Sequence, residues 1–310
     1  MTRPAVSVVV PAYEAAATIE RCLHSLVGQT VADEAEVIVV DSGSDHAADL
    51  VSRLFPSVRL LRFHTRKFPG DARNLGVAEA RAHILAFTDA DCIADPSWLE
   101  RIIAAHRAYA DPIIGGAIEN ANPHSRAGWA AYLLELSQWV PSTPPGPMVE
   151  IPTGCLSMKR WAFDRWGPFL ERTYSSDSIF QWRAVLDGHR PLFDPTIRVA
   201  HVNIARLGEL ARRKFRHGRD FARLRAEAEQ FSAVRRFAFA AMAPALPLLL
   251  WSRIARRLAG DPGLRTQLLR TTPGLLFALL AWSYGEALGY LSMPSAQKRL
   301  RHMRPVGRHV

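Results

Sequence analysis

Cysteine is scarce in this 310-residue chain: Cys22, Cys92 and Cys155 stand far apart and form no CxxC pair. That argues against a zinc site or a disulfide framework and suits a reducing compartment. No signal peptide is expected, because the apolar run Val6–Val10 is short, stops at Pro11 and meets Glu14 at once. No segment is long, polar and of low complexity, and there is no internal repeat. With 48% hydrophobic residues the chain can bury a core. Acidic residues are few in the last third. Residues 201–310 hold 20 Lys/Arg against 6 Asp/Glu, whereas residues 1–200 hold 19 against 23. A near-neutral body thus carries a basic tail suited to the phosphates of lipid or nucleic acid.

What is present reads as alternating strand and helix. Residues 5–10 form a buried strand closed by Pro11, and Ile19, Leu23 and Leu26 share a helical face that Gly28 ends. Val37–Val40 is a second strand, running into the turn Asp41-Ser42-Gly43-Ser44-Asp45. A helix through Leu50 and Leu54, a strand at Val58–Phe63, a helix over Ala72–Ala80 and a strand at His83–Phe87 follow. Further on come a helix starting near Pro96, a strand at 113–119, a Trp-containing helix at 128–139 and a Pro-rich loop without regular structure. The pattern predicts an α/β fold, a mostly parallel Rossmann-like sheet with helices on both faces. Ligands of such sheets bind at the carboxyl ends of the strands, where the polar residues after strands two and four meet.

Asp89 and Asp91 follow the strand Ile84–Phe87 directly. Two carboxylates one residue apart at a strand end can hold Mg²⁺ or Mn²⁺, which prefer oxygen ligands and accept phosphates as partners; a solvated acidic turn is the alternative. Asp41 can accept from a nucleobase N–H or cap its own Asp-Ser-Gly turn. Arg73, at the start of a helix in Pro69-Gly70-Asp71-Ala72-Arg73-Asn74-Leu75-Gly76, suits an anionic nucleotide or else a solvated face.

In order and spacing, Pro11-Ala12-Tyr13-Glu14, the Asp41–Asp45 turn, Gly70–Gly76 and Phe87-Thr88-Asp89-Ala90-Asp91-Cys92 resemble the family 2 glycosyltransferases, over about residues 5–205. The resemblance implies the GT-A fold, a nucleotide-diphospho-sugar donor (most often a UDP-sugar), a Mn²⁺ or Mg²⁺ cofactor and inversion at the anomeric carbon. By position, Pro11, Tyr13 and Glu14 would border the nucleotide and Asp41 and Arg73 would contact uracil. Asp89 would lie near ribose and metal, with Asp91 the direct metal ligand. His201 matches a place where relatives often carry a metal-binding histidine, though a lone histidine among apolar residues also serves structure. Gly154 matches the loop beside sugar and acceptor. The family takes its base from a Glu-Asp pair; the matching stretch here, Tyr174-Ser175-Ser176-Asp177, keeps only the second acid. Asp177 is the expected base, its other reading being the N-cap of a helix at 178–187. The missing glutamate leaves a weakened, binding-only relative as an alternative. A nucleotidyltransferase would call for a Gly-rich, Lys/Arg-bearing loop after the first strand, which Pro11–Glu14 does not supply.

The chain is expected to divide into residues 1–205, the transferase domain, and 206–310, a basic helical region. Arg213, Lys214 and Arg219 lie in its densest cluster and are candidate phosphate or lipid contacts. Phe237–Ser252 and Thr271–Gly285 are uncharged runs of 16 and 15 residues, each interrupted by proline. Both fall short of the ~20 residues of a membrane span. A two-span hairpin would also place Arg253 to Arg270 on the far side, against the positive-inside tendency. Helices lying in or re-entering the cytoplasmic face of the cell membrane are therefore expected, with a spanning pair or a packed soluble subdomain as alternatives. The expected partners are the sugar donor, a hydroxyl acceptor of lipid or lipid-linked type and the inner-membrane surface. No nucleic acid is expected.

Overall fold

The computed structural model describes residues 3–173 and 176–292; Tyr174 and Ser175 of the acceptor-side motif and residues 293–310 lie outside the described residues. The chain divides into two compact units. The first comprises residues 1–122 and 138–202, the second residues 123–137 and 203–310.

In the first unit, β1 (Val6–Ala12) and β2 (Ala35–Asp41) are near-continuous apolar runs. They fit the middle of a sheet covered on both faces. They pair in parallel with each other, and β3 (Arg59–Arg62) and β4 (Ile84–Phe87) extend the parallel set on either side. The crossovers α1 (Ile19–Val27), α2 (Ala47–Leu54) and α3 (Pro69–Glu79) each turn a buried stripe to the sheet, such as Ile19, Cys22, Leu23 and Leu26 in α1.

Beyond Phe87 the alternation ends and the sheet becomes mixed. Next come β5 (Cys92–Ala94), α4 (Trp98–Ala108), β6 (Ile113–Asn120) and α5 (Arg126–Leu136). The chain continues through β7 (Gly146–Pro147), β8 (Leu156–Lys159), α6 (Arg160–Trp166), α7 (Ser176–Leu186) and β9 (Leu192–His201). The strand order is β3-β2-β1-β4-β8-β6-β9-β5, with β7 on β9. β8 runs antiparallel to both β4 and β6, β5 and β7 run antiparallel to β9, and β6 and β9 are parallel. The expected parallel sheet thus accounts for four strands, and the rest are mixed in direction. The Pro-rich loop, expected to lack regular structure, donates the two-residue β7. The core gathers Leu85, Phe87, Phe169, Phe180 and Phe193. Phe87 and Phe180 flank the Phe169 ring at centroid distances of 5.4 and 4.9 Å.

The second unit joins α5 to α8 (Leu207–Ala228), α9 (Ala233–Met242), α10 (Leu246–Arg257) and α11 (Pro262–Leu291). Glycines let α8 and α11 approach to backbone contact: a Cβ on Gly285 would collide with the Phe215 carbonyl, and one on Gly218 with that of Trp282. Pro273 sits inside α11, where the Thr271 and Thr272 hydroxyls donate to the Gln267 and Leu268 carbonyls at 2.7 and 2.8 Å. The carbonyl that Pro273 deprives of its helical donor is the next one, that of Leu269. Helical structure runs well past the uncharged stretches. Residues 233–257 and 262–291 are each long and apolar enough to cross a bilayer, by length and composition. Phe237, Met242, Leu248, Leu280 and Tyr284 are all more than half exposed, an apolar display unusual on a water-facing surface.

Candidate active site

The carboxyl ends of β1 and β4 open onto a cleft of about 530 Å³. Nine of the ten body residues singled out from the sequence line it: Pro11, Tyr13, Glu14, Arg73, Asp89, Asp91, Gly154, Asp177 and His201. Asp41 instead lies buried at the neighbouring strand end.

Sheet register explains the acidic centre. β4 ends at Phe87, and the chain turns through Asp89-Ala90-Asp91 into β5, whose Cys92 is the register partner of His201 on β9. The Val202 amide donates to the Asp91 carbonyl at 2.8 Å, fastening the turn to the end of β9. His201 Nε2 thereby stands 3.4 Å from Asp91 Oδ2. Two ligands at right angles on a cation, each about 2.1 Å from it, stand roughly 3.0 Å apart. The pair needs only a small adjustment to share an ion, and an oxygen–nitrogen donor set suits Mn²⁺ or Mg²⁺. Cys92 brings its sulfur to the same group, with donor atoms within 4.8 Å of one another. Burial pushes its thiol well above the ordinary value, and a protonated soft donor is a poor ligand for a hard cation.

Arg73 is buried on the first turns of α3 and donates to Asp89 Oδ1 at 2.7 Å. Gly76, one turn later, explains how α3 comes so near the sheet, because a Cβ there would collide with Val9 Cγ1. Burial raises the Asp89 carboxyl, and the Arg73 guanidinium pulls against that rise. Arg73 Nε has no partner among the described residues, a donor left aimed into buried space. Gly154 lies on the opposite wall in the short 3₁₀ turn Thr153–Cys155. A Cβ there would stand 3.3 Å from Asp89 Oδ2 and 3.4 Å from Cys92 Sγ, so a side chain would crowd the acidic turn.

Around the nucleotide-side wall, Glu14 holds a left-handed backbone (φ 51°) and accepts from the Ser44 amide and hydroxyl at 2.9 and 2.7 Å. Asp45 accepts from the Ala16 amide at 2.7 Å, so the loops after β1 and β2 are tied together. Asp41 Oδ1 accepts weakly from Gly43 N at 3.4 Å, and Oδ2 has no partner among the described residues. Burial raises this carboxyl. Both oxygens therefore retain capacity for a donor that the protein does not supply.

On the acceptor side α7 begins at Ser176, which places Asp177 within the first helical turn rather than at the expected N-cap. Its Oδ2 accepts from the Thr153 hydroxyl at 3.3 Å, joining it to the Gly154 turn. Ser176 is fully buried, and a Cβ on Gly70 would stand 2.8 Å from its side chain. The position where the family carries glutamate thus packs against the start of α3.

Sequence reasoning missed Arg66 and Lys67, which also line the cleft. The Arg66 guanidinium lies 4.3 Å from the Tyr13 ring centroid and 5.3 Å from that of Phe68. The signal was available, as adjacent cations in the loop feeding the N-terminus of α3. In the second unit, Arg213 and Lys214 both engage Glu135 (Lys214 Nζ at 2.6 Å), and Arg219 engages Asp220 at 3.3 Å. Three candidate phosphate contacts are thus already ion-paired.

The family model for glycosyl transferase family 2 matches residues 7–163, half of the chain. The chain belongs to this family. Its relatives include glycosyltransferase AglE of Haloferax volcanii, 32% identical over 136 residues, covering 42% of this chain and 45% of that protein. The chain spans about half the length of the curated relatives it matches. Among solved structures it resembles the mannosyltransferase PcManGT from Pyrobaculum calidifontis in complex with GDP-Man and Mn²⁺. That likeness has a TM-score of 0.57 and 22% identity, covering 92% of this chain and 88% of that one. It also resembles S. aureus TarS 1–349 in complex with UDP-GlcNAc, with a TM-score of 0.53 and 16% identity, covering 91% and 90%. These likenesses give the family 2 chain its fold, GT-A, as its motifs led one to expect.

Proposed function

We propose that this family 2 chain is an inverting glycosyltransferase moving a sugar from a nucleotide-diphospho-sugar to an acceptor hydroxyl. The reading rests above all on one observation: Arg73, Asp89, Asp91, His201 and Asp177 converge on a single cleft. Tyr13, Glu14 and Arg66 form the nucleotide wall, and Arg73 presents a buried guanidinium to it. Asp41, with an unpartnered carboxylate oxygen, accepts from the base, and a uracil N–H fits that role. Asp91 and His201 would hold a divalent cation with Asp89 alongside, as the donor set allows. A bound cation supplies positive charge against the departing diphosphate. Asp177 takes the acceptor proton as the hydroxyl attacks from the face opposite the leaving group; one carboxylate suffices for that step. The Thr153 hydroxyl holds Asp177 in position.

A role at the cytoplasmic face of a membrane, in cell-envelope or glycolipid synthesis with lipid or lipid-linked acceptors, is supported by the basic helices of the second unit and their exposed apolar residues. The domain division proposed for this activity is a catalytic body up to about residue 205 followed by that region. The buried Ser176 favours one alternative, a weakened relative that binds donor without turning it over.

The test is nucleotide release from a panel of nucleotide sugars with Mn²⁺ and a membrane extract, in the parent chain and in Asp91→Ala and Asp177→Asn. Release should fall by roughly 10²–10⁴-fold in Asp177→Asn. Undiminished release would remove that residue from the base role, and donor binding without release would favour the weakened relative.

A further inference from the structure

The second unit contains a cavity of about 220 Å³ with an unusual lining. From α10 come Leu250, Arg253, Ile254 and Arg257, spaced as one helical face, half of it apolar and half cationic. From α11 come Leu279 and Trp282. The Trp282 indole is fixed by donation to Glu286 Oε2 at 2.9 Å. Lys214 closes the cavity from α8, its ammonium 6.0 Å from the Trp282 ring centroid and paired with Glu135.

Charge and shape identify a ligand. Lys214 and Arg213 share the single carboxylate of Glu135. Neither Arg253 nor Arg257 has an ion-pair partner among the described residues. Four cations against two anions, Glu135 and the Glu286 that holds Trp282, leave the region at +2. The negative end of α10 accounts for some attraction of arginine to its last turn. It does not account for two guanidiniums facing the same apolar cavity. Guanidiniums match phosphate oxygens in geometry and charge. An inorganic phosphate would meet the cations but leave Leu250, Leu279 and Trp282 uncovered. A lipid phosphate satisfies both halves of the lining. The volume lies below the roughly 300–1,000 Å³ of sites that enclose a whole small molecule. It admits a phosphate head with its first carbons and leaves the remaining chain outside.

We propose that this cavity binds the phosphate head of an anionic lipid, with Arg253 and Arg257 on the phosphate oxygens and the first methylenes against Leu250, Leu279 and Trp282. The proposal rests on the membrane-surface reading above but not on sugar transfer, and its test uses no donor.

The full chain is mixed with phosphatidylcholine vesicles, with the same vesicles containing a few mole per cent phosphatidic acid, and with the latter plus inorganic phosphate matched to the lipid phosphate. Co-sedimentation is read for the parent chain, for Arg253→Gln/Arg257→Gln and for Arg256→Gln/Arg265→Gln. The last pair removes equal charge from exposed positions outside the cavity. Circular dichroism confirms that all three are folded. Phosphatidic acid should strengthen binding of the parent chain, and the cavity pair should lose about tenfold more of that gain than the control pair. Matched inorganic phosphate should not displace the vesicles. Equal losses in the two double variants would mean diffuse surface attraction and would overturn the site. Displacement by inorganic phosphate would overturn its lipid character. Absence of any phosphatidic acid effect would overturn it too, while leaving nucleotide release in the transferase assay untouched.

Discussion

Replacing Glu135 with glutamine removes the one carboxylate against which Arg213 and Lys214 are arranged. Burial by itself would raise that carboxyl, yet Lys214 and then Arg213 hold it down at about 2, from an ordinary 4.5. At 1.36 kcal/mol per unit, the fall corresponds to about 3.4 kcal/mol of stabilisation of the charged form. Burial pushes the Lys214 ammonium down, against the pull of Glu135. The Arg213 side chain is 37% exposed, so water screens part of its share. The net loss on Glu135→Gln should therefore be nearer about 2 kcal/mol at pH 7, some of it the cost of two cations left facing each other. Because the folded value is depressed, this contribution is complete above about 4.5 and disappears as pH falls towards about 2. Chemical denaturation of the full chain in mild detergent, with parent and variant compared from pH 7 to pH 2.5 (about the lower edge of that window), reads the difference directly. The gap should be widest at neutral pH and narrow steadily below about 4.5. A gap under about 0.5 kcal/mol at pH 7, or one indifferent to pH, would refute the reasoning.

Three further outcomes are expected. Ser176→Glu, which recreates the family's acidic pair on paper, should lower both thermal stability and turnover. It would put a carboxylate into a fully buried position packed on Gly70, at a cost of several kcal/mol; a gain in turnover would show that the position opens to the cleft. Gly76→Ala should destabilise by about 1–3 kcal/mol in denaturant, because its methyl group meets Val9 and must push α3 and Arg73 off the sheet. His201→Ala should raise the Mn²⁺ concentration for half-maximal nucleotide release by about 10–100-fold, while the same change at His106, buried against Ser157 and not part of the cleft lining, should leave it unchanged.

The first half of the sheet was legible in the sequence because β1, β2 and β4 are uninterrupted apolar runs separated by helices with clear stripes. Past Phe87 the strand at 113–119 was legible, as β6, but β5, β7 and β8 have only two to four residues each, β9 is interrupted by Pro195, and no local pattern records the direction in which any of them pairs. The cleft was legible for a related reason: motif residues that follow strands must gather at the strand ends. His201 met Asp91 only through the β5–β9 register, which pairing decides and sequence spacing does not. The burial of Ser176 was invisible as well, since it follows from the approach of α3 to α7 and not from the serine's neighbours in the chain. Arg66 and Lys67 were overlooked because a loop between elements has no periodicity to draw attention to it.

The membership of α5 in the second unit means that the polypeptide passes from one unit to the other three times, after Asn122, Ser137 and Val202. The helical unit is therefore not a detachable tail. A chain cut at Val202 would keep α5 but lose α11, whose Gly274 backs onto the buried Ala130. Any swap of this unit between relatives, by recombination or by hand, has to exchange two separate stretches of gene together.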